Sequence, residues 1–174
     1  MPTGAVLVRA ARPRAGFCHP ASRQDVAWVL DHLGAEHTYG VRSVELRQAP
    51  PEGRGGQLFG RLVVPGRILL YEQPISPWIL RGVMSDRERG RLAKAGAVIE
   101  RTPGGSTTIV SWPDGALRDF MRFDVLLHEV AHHVLQQYAG KRTTRIARTR
   151  DHERFADEFV RRYRAAATAE AGSA

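Results

Sequence analysis

One stretch of the sequence joins two properties that rarely occur together, apolar surroundings and several ionisable side chains. The pentapeptide His128-Glu129-Val130-Ala131-His132 lies inside a mostly apolar run. The apolar residues around and within the motif are Phe120, Phe123, Val125, Leu126, Leu127, Val130, Val134 and Leu135. A helix that is apolar on most of its circumference is buried, and buried charge is costly unless it is paired or bound to a metal ion. The pattern therefore predicts a central helix whose histidines have a binding partner.

The spacing of the two histidines predicts a metal site. Residues four apart lie on one face of a helix, so His128 and His132 can both reach one Zn²⁺ ion at about 2.0–2.1 Å. Glu129 projects beside that face, where it is placed to act as a general base rather than as a ligand. Because zinc lowers the pKa of a bound water toward about 7, a carboxylate can then activate water at neutral pH. We expect one zinc ion and a hydrolytic reaction.

A catalytic zinc site needs a third protein ligand, and the start of the last helix offers two. Glu153 lies 21 residues after His132 (153 − 132 = 21), and His152 is the alternative. Asp157 follows Glu153 by four residues, so it lies on the same face and can hold the free ring N–H of a ligating histidine. This pairing favours Glu153, while His152 stays open as the rival ligand.

These residues resemble the gluzincin metallopeptidases, the thermolysin-like class with HExxH on one helix and a glutamate ligand on a following helix. The run from Glu153 to Phe159 is also similar to a stretch in small bacterial and phage-type metallopeptidases that cleave repressors. The resemblance implies His128, His132 and Glu153 as ligands, Glu129 as the base and Asp157 as support for a histidine. It covers about residues 106–160 and implies a minimal thermolysin-like core that acts as a zinc metalloendopeptidase.

An alternative interpretation starts from the basic residues. The net charge is +8, and arginine binds phosphate through bidentate hydrogen bonds. A basic concentration is formed by Lys141, Arg142, Arg145, Arg148 and Arg150. With His152 as third ligand the chain would resemble the SprT-like proteases, which act on DNA-bound proteins. The sequence also allows a zinc-stabilised regulatory or nucleic-acid-binding module, with nucleic acid as a partner.

Several residues around the motif are candidates for supporting roles. The resemblance also implies a further His or Tyr that stabilises the oxyanion of the tetrahedral intermediate. No motif identifies this residue, and the candidates are Tyr138, Tyr163 and His133. In gluzincin-like folds a strand just before the active helix borders the cleft and pairs with an extended substrate, which by resemblance is Thr107–Trp112. A latent precursor, with the segment Arg14–Pro20 covering the cleft, is a further alternative.

The order of predicted elements indicates an α+β fold. By resemblance it is zincin-like, with a mixed or antiparallel sheet, an N-terminal helix, a buried active-site helix and a C-terminal helix that supplies the third ligand. We predict a helix from Ser22 to Gly34, a hairpin of Leu58–Val64 with Arg67–Gln73, a helix from Ser85, a strand pair of Ala97–Arg101 with Thr107–Trp112, a long helix Leu117–Tyr138 and a last helix that begins after the N-cap Asp151.

The domain division follows from composition. We predict a flexible N-terminal arm at residues 1–21, or an irregular first strand at Ala5–Val8 within it, followed by a metallopeptidase domain at 22–168 and a frayed tail at 169–174. No apolar stretch reaches the roughly 18–20 residues of a membrane span, and the N-terminus lacks the pattern of a secretory signal. The expectation is a cytoplasmic monomer that acts on a protein or peptide substrate, without a membrane partner.

Overall fold

A computed structural model describes residues 5–51, 58–138 and 149–171, and this part of the chain is α+β, which confirms the predicted class. The elements in chain order are β1 (Leu7–Ala10), β2 (Phe17–Cys18), α1 (Arg23–Thr38), β3 (Ser43–Arg47), β4 (Gly60–Val63), β5 (Arg67–Tyr71), β6 (Gln73–Pro74), β7 (Trp78–Arg81), α2 (Asp86–Lys94), β8 (Val98–Arg101), β9 (Thr107–Ser111), α3 (Ala116–Asp119), a π-helical segment (Phe120–Leu126), α4 (Leu127–Tyr138) and α5 (Arg150–Ala171).

The main sheet is mixed and has the strand order β1-β3-β5-β4. β1, β3 and β5 are parallel, and β4 runs antiparallel to β5 as the predicted hairpin. Gly66 at the turn has a φ of 69°, and a Cβ there would lie 2.0 Å from the carbonyl oxygen of Gly40, so only glycine fits. Because β4 ends the strand order, it is an edge strand of this sheet within the described residues.

A second sheet has the order β7-β9-β8 and is antiparallel throughout. The predicted pairing of β8 with β9 is confirmed. β9 lies between its two neighbours, so the backbone groups on both of its sides belong to this sheet. The short strands β2 and β6 pair separately.

The long helix predicted at Leu117–Tyr138 is built from three consecutive pieces, α3, the π-helical segment and α4. The wider π-helical turns lie directly before the HExxH motif. Turns of this kind are often found at functional sites. Buried side chains in the segment are Phe120, Met121, Val125 and Leu126. Among the described residues, no helix combines the length and the apolar character that crossing a bilayer requires.

The segment predicted as an N-terminal arm, residues 1–21, contains the strands β1 and β2. β1 pairs with β3 from Leu7 opposite Ser43 onward. Further along, the main-chain N–H of Arg14 donates to Oε2 of the buried Glu72 at 2.8 Å. β1 is only four residues long and overlaps the first strand considered from the sequence, Ala5–Val8.

Helix α1 begins after the N-cap predicted for it. Ser22 Oγ accepts from the N–H of Asp25, and the N–H of Ser22 donates to Asp25 Oδ2 at 2.8 Å, which is a reciprocal capping box. Gly34, predicted to end the helix, instead forms a kink with a φ of 70°, and α1 continues to Thr38. Asp25 also accepts from Arg118 Nε of α3 at 3.0 Å. Burial raises the pKa of Asp25, but the hydrogen bonds from Arg118 and Ser22 outweigh it and lower the pKa to about 2.

We expect Asp25→Asn to lower the free energy of unfolding by about 2 kcal/mol at neutral pH. The folded-state pKa lies below the ordinary value of 3.8. The stabilisation is therefore fully present above that value and is lost as the pH falls toward 2. Urea unfolding of both proteins across this pH range measures the difference, which should shrink in acid. A difference that does not depend on pH would show that the charge of Asp25 does not matter.

Candidate metal centre

Helices α4 and α5 pack against each other and carry the candidate site. Asp124 Oδ2, just before α4, pairs with Arg164 Nη1 at 2.6 Å, whereas His132 Nε2 lies 3.5 Å from Glu153 Oε1. Since the earlier residue of one helix meets the later residue of the other, the two helices run in opposite directions. The first turns of α5 therefore lie beside the HExxH motif.

Three side chains converge at this point. His128 Nε2 lies 3.1 Å from His132 Nε2 and 3.2 Å from Glu153 Oε2, and His132 Nε2 lies 3.5 Å from Glu153 Oε1. Ligand atoms at about 2.0–2.1 Å from a tetrahedral ion are separated from one another by about 3.3 Å. The three side chains thus have the chemistry and the mutual spacing of one face of a zinc-sized tetrahedron, so they fit a divalent ion.

The two histidines of α4 are less exposed than the carboxylate that α5 contributes. The exposed fraction of the side chain is 7% for His132, 15% for His128 and 33% for Glu153. Glu153 is therefore the most solvent-accessible of the three side chains.

Asp157 lies behind the first histidine, one turn along α5 from Glu153. Its Oδ1 is 3.8 Å from Nδ1 of His128, while Nε2 of the same ring faces the cluster. The distance is longer than that of a hydrogen bond. Asp157 faces the ring nitrogen of His128 that points away from the cluster, which is the position predicted for a group that supports this histidine.

Glu129 lies outside the cluster and faces the main sheet. Its side chain is buried, and its Oε2 accepts a hydrogen bond of 2.8 Å from the backbone N–H of Leu62 in β4. Glu129 therefore lies between helix α4 and the edge strand β4. Sequence reasoning missed Leu62, because a backbone N–H has no signature in the sequence and the two residues lie 67 positions apart.

The strand predicted to border the cleft, Thr107–Trp112, is not available for substrate. It forms β9, which is hydrogen-bonded to strands on both sides. Its Trp112 packs against Trp78 with ring centroids 5.3 Å apart and against Phe120, so these rings belong to the core rather than to a pocket. The strand beside the site is β4.

The structure places the three oxyanion candidates away from the cluster. The hydroxyl of Tyr163 contacts His37 Nε2. Tyr163 itself lies ten residues after Glu153, which is about 15 Å along α5. His133 Nε2 lies 2.9 Å from the carbonyl oxygen of Tyr39, and burial lowers the pKa of this histidine. Tyr138, the last residue of α4, is 73% exposed.

His152, the alternative third ligand, is engaged at the start of α5. Its backbone N–H donates to Thr149 Oγ1 at 3.3 Å, and its Nδ1 accepts from the N–H of Thr149 at 3.4 Å. Thr149 therefore caps the helix instead of the predicted Asp151. His152 is not among the three side chains that converge.

The segment Arg14–Pro20, considered above as a cover of the cleft, makes contacts elsewhere. The backbone of Cys18 pairs with Gln73 in the β2–β6 ladder, and burial raises the pKa of the Cys18 thiol. His19 Nε2 lies 2.8 Å from the carbonyl oxygen of Ala11. Of the predicted basic patch, Arg150 begins α5. The part outside the described residues consists of Lys141, Arg142, Arg145 and Arg148.

Comparison of the chain with protein-family profiles, with curated proteins and with solved structures finds no match. The chemistry of this site has to be inferred from its own geometry.

Proposed function

We propose that this chain is a zinc-dependent metallopeptidase with a zincin-like fold and a minimal gluzincin-type site. The observation that carries the proposal is the convergence of His128, His132 and Glu153, whose ligand atoms are 3.1 to 3.5 Å apart and come from two packed helices. Two further contacts support it. Asp157 lies near Nδ1 of His128, and Glu129 accepts a hydrogen bond from Leu62 and is not one of the three converging side chains.

The three converging side chains would hold one zinc ion. When bound, the ion would acidify a water molecule and polarise the carbonyl oxygen of the scissile bond. Glu129 takes the proton from the attacking water and delivers it to the nitrogen of the leaving amine. The burial of Glu129 keeps this carboxylate away from bulk solvent, and Asp157 orients the ring of His128.

The edge strand β4 supports an extended polypeptide as the substrate. The N–H of Tyr71 in β5 donates to the carbonyl oxygen of Phe59, and bonding alternates along an antiparallel ladder. Arg61 and Val63 therefore point their backbone groups at β5, and Gly60 and Leu62 point theirs at the open edge. A peptide that adds to this edge would pass next to Glu129.

The proposal is tested by following the cleavage of a reduced and carboxymethylated polypeptide by mass spectrometry. Protein stripped with a chelator should be inactive, and stoichiometric zinc should restore cuts at internal peptide bonds. The protein should cleave folded substrates more slowly, because only an extended chain can pair with β4. If no new termini appear in the zinc-loaded sample, the peptidase assignment is wrong.

A further inference from the structure

A backbone N–H of β4 that donates a hydrogen bond to Glu129 is also a donor that a peptide substrate would need in order to pair with this strand. Leu62 in β4 donates its backbone N–H to Glu129 Oε2 at 2.8 Å. The ladder register places this N–H on the side of β4 that faces away from β5. It is therefore one of the outward donors with which β4 could bind an added strand.

An N–H group with one proton makes one good hydrogen bond at a time. A strand that pairs with β4 places a carbonyl oxygen opposite an outward N–H. At Leu62 that carbonyl oxygen would occupy the position that Glu129 Oε2 holds. The carbonyl oxygen of the substrate and the carboxylate of Glu129 therefore compete for the same hydrogen-bond donor, the N–H of Leu62.

We propose that Leu62 holds Glu129 in a resting position, and that pairing of an extended substrate with β4 displaces the carboxylate and frees it to act as the base. The inference rests on the proposed peptidase function and adds a means of coupling substrate binding to catalysis. Leu62 is a positioning residue in this scheme and acts through its backbone alone. Compounds too short to pair with β4 leave Glu129 in the resting position and are poor substrates.

The resting contact can be tested without metal or turnover by backbone amide hydrogen exchange. In the metal-free protein the amide of Leu62 should exchange slowly, and Glu129→Ala should speed its exchange at least about tenfold, as expected on losing a hydrogen bond to a charged group. The amide of Gly60, which also faces outward from β4, is the internal control and should not change. An unaltered exchange rate at Leu62 would overturn the proposal.

The coupling to substrate is tested with Leu62→Pro, which removes the N–H, and Leu62→Ala, which keeps it. Proline is tolerated on edge strands where the N–H faces outward. The probes are a blocked dipeptide 4-nitroanilide and a reduced, carboxymethylated polypeptide. Leu62→Pro should raise kcat for the anilide and raise KM for the polypeptide about tenfold, since one strand hydrogen bond is lost. Leu62→Ala should keep the wild-type ratio of the two activities.

Equal losses on both probes in a folded Leu62→Pro variant would contradict the proposal. If that variant does not fold, the exchange rate in Glu129→Ala decides the question. The two levels remain separable, because the exchange measurement needs no catalysis. A fast Leu62 amide in an active peptidase refutes only the resting position, whereas a slow Leu62 amide without any hydrolysis refutes only the peptidase.

Discussion

Glu129→Gln should leave zinc bound and lower kcat/KM for peptide hydrolysis by about 10²- to 10⁴-fold, the range expected for loss of a general base. Glutamine has the shape of glutamate and can still accept the hydrogen bond from Leu62, so the local packing is preserved. It cannot take a proton from water at neutral pH. The measurements are kcat/KM on an unfolded polypeptide and the zinc content by elemental analysis.

Glu158→Gln is the matched control for this prediction. Glu158 lies on α5 next to Asp157, but its side chain is 70% exposed and pairs with Arg161. The same chemical change there should leave both hydrolysis and zinc content close to wild type. Undiminished turnover in Glu129→Gln would remove the carboxylate from the mechanism, and loss of zinc in that variant would make Glu129 a ligand.

Glu153→Ala should weaken zinc binding by more than about 100-fold, because even groups that only support ligands typically account for 10- to 100-fold. Among the described residues, this carboxylate is the one side chain that α5 contributes to the converging cluster, and its removal leaves two histidines. Peptidase activity should fall with metal occupancy. Competition with a chromogenic chelator at fixed pH measures the affinity, since binding depends on ligand protonation.

His152→Ala is the comparison that separates the two ligand sets considered from the sequence. His152 interacts with Thr149 at the start of α5 and should contribute little to zinc affinity. The three-histidine alternative expects the opposite order of effects. A large loss of affinity in His152→Ala with normal binding by Glu153→Ala would reverse the assignment.

The candidate ligands could be predicted from the sequence because their geometry is local. His128 and His132 share a helix face by their spacing alone, and Asp157 lies one turn from Glu153 for the same reason. The packing of α5 on α4 was supplied by resemblance, and the structure brings these side chains together. The contact between Leu62 and Glu129 could not be foreseen, since it depends on where a strand ends up in a sheet.

The same distinction explains the errors in the fold. The hairpin of β4 and β5 has a local turn signal and was predicted, as was the capped start of α1. The resemblance places β9 at the cleft because this strand comes just before the helix that carries the HExxH motif. Which strand forms an edge depends on the order of strands in the sheet, which is non-local, and that position belongs to β4.

The central claim is that two helices place three ligands around one zinc ion. The most direct test is a crystal structure of the zinc-loaded Glu129→Gln variant, with anomalous differences recorded at the zinc edge. The account predicts one peak at about 2.0–2.1 Å from Nε2 of His128, Nε2 of His132 and a carboxylate oxygen of Glu153. No peak at this position, or a peak bound through His152 instead of Glu153, would contradict it.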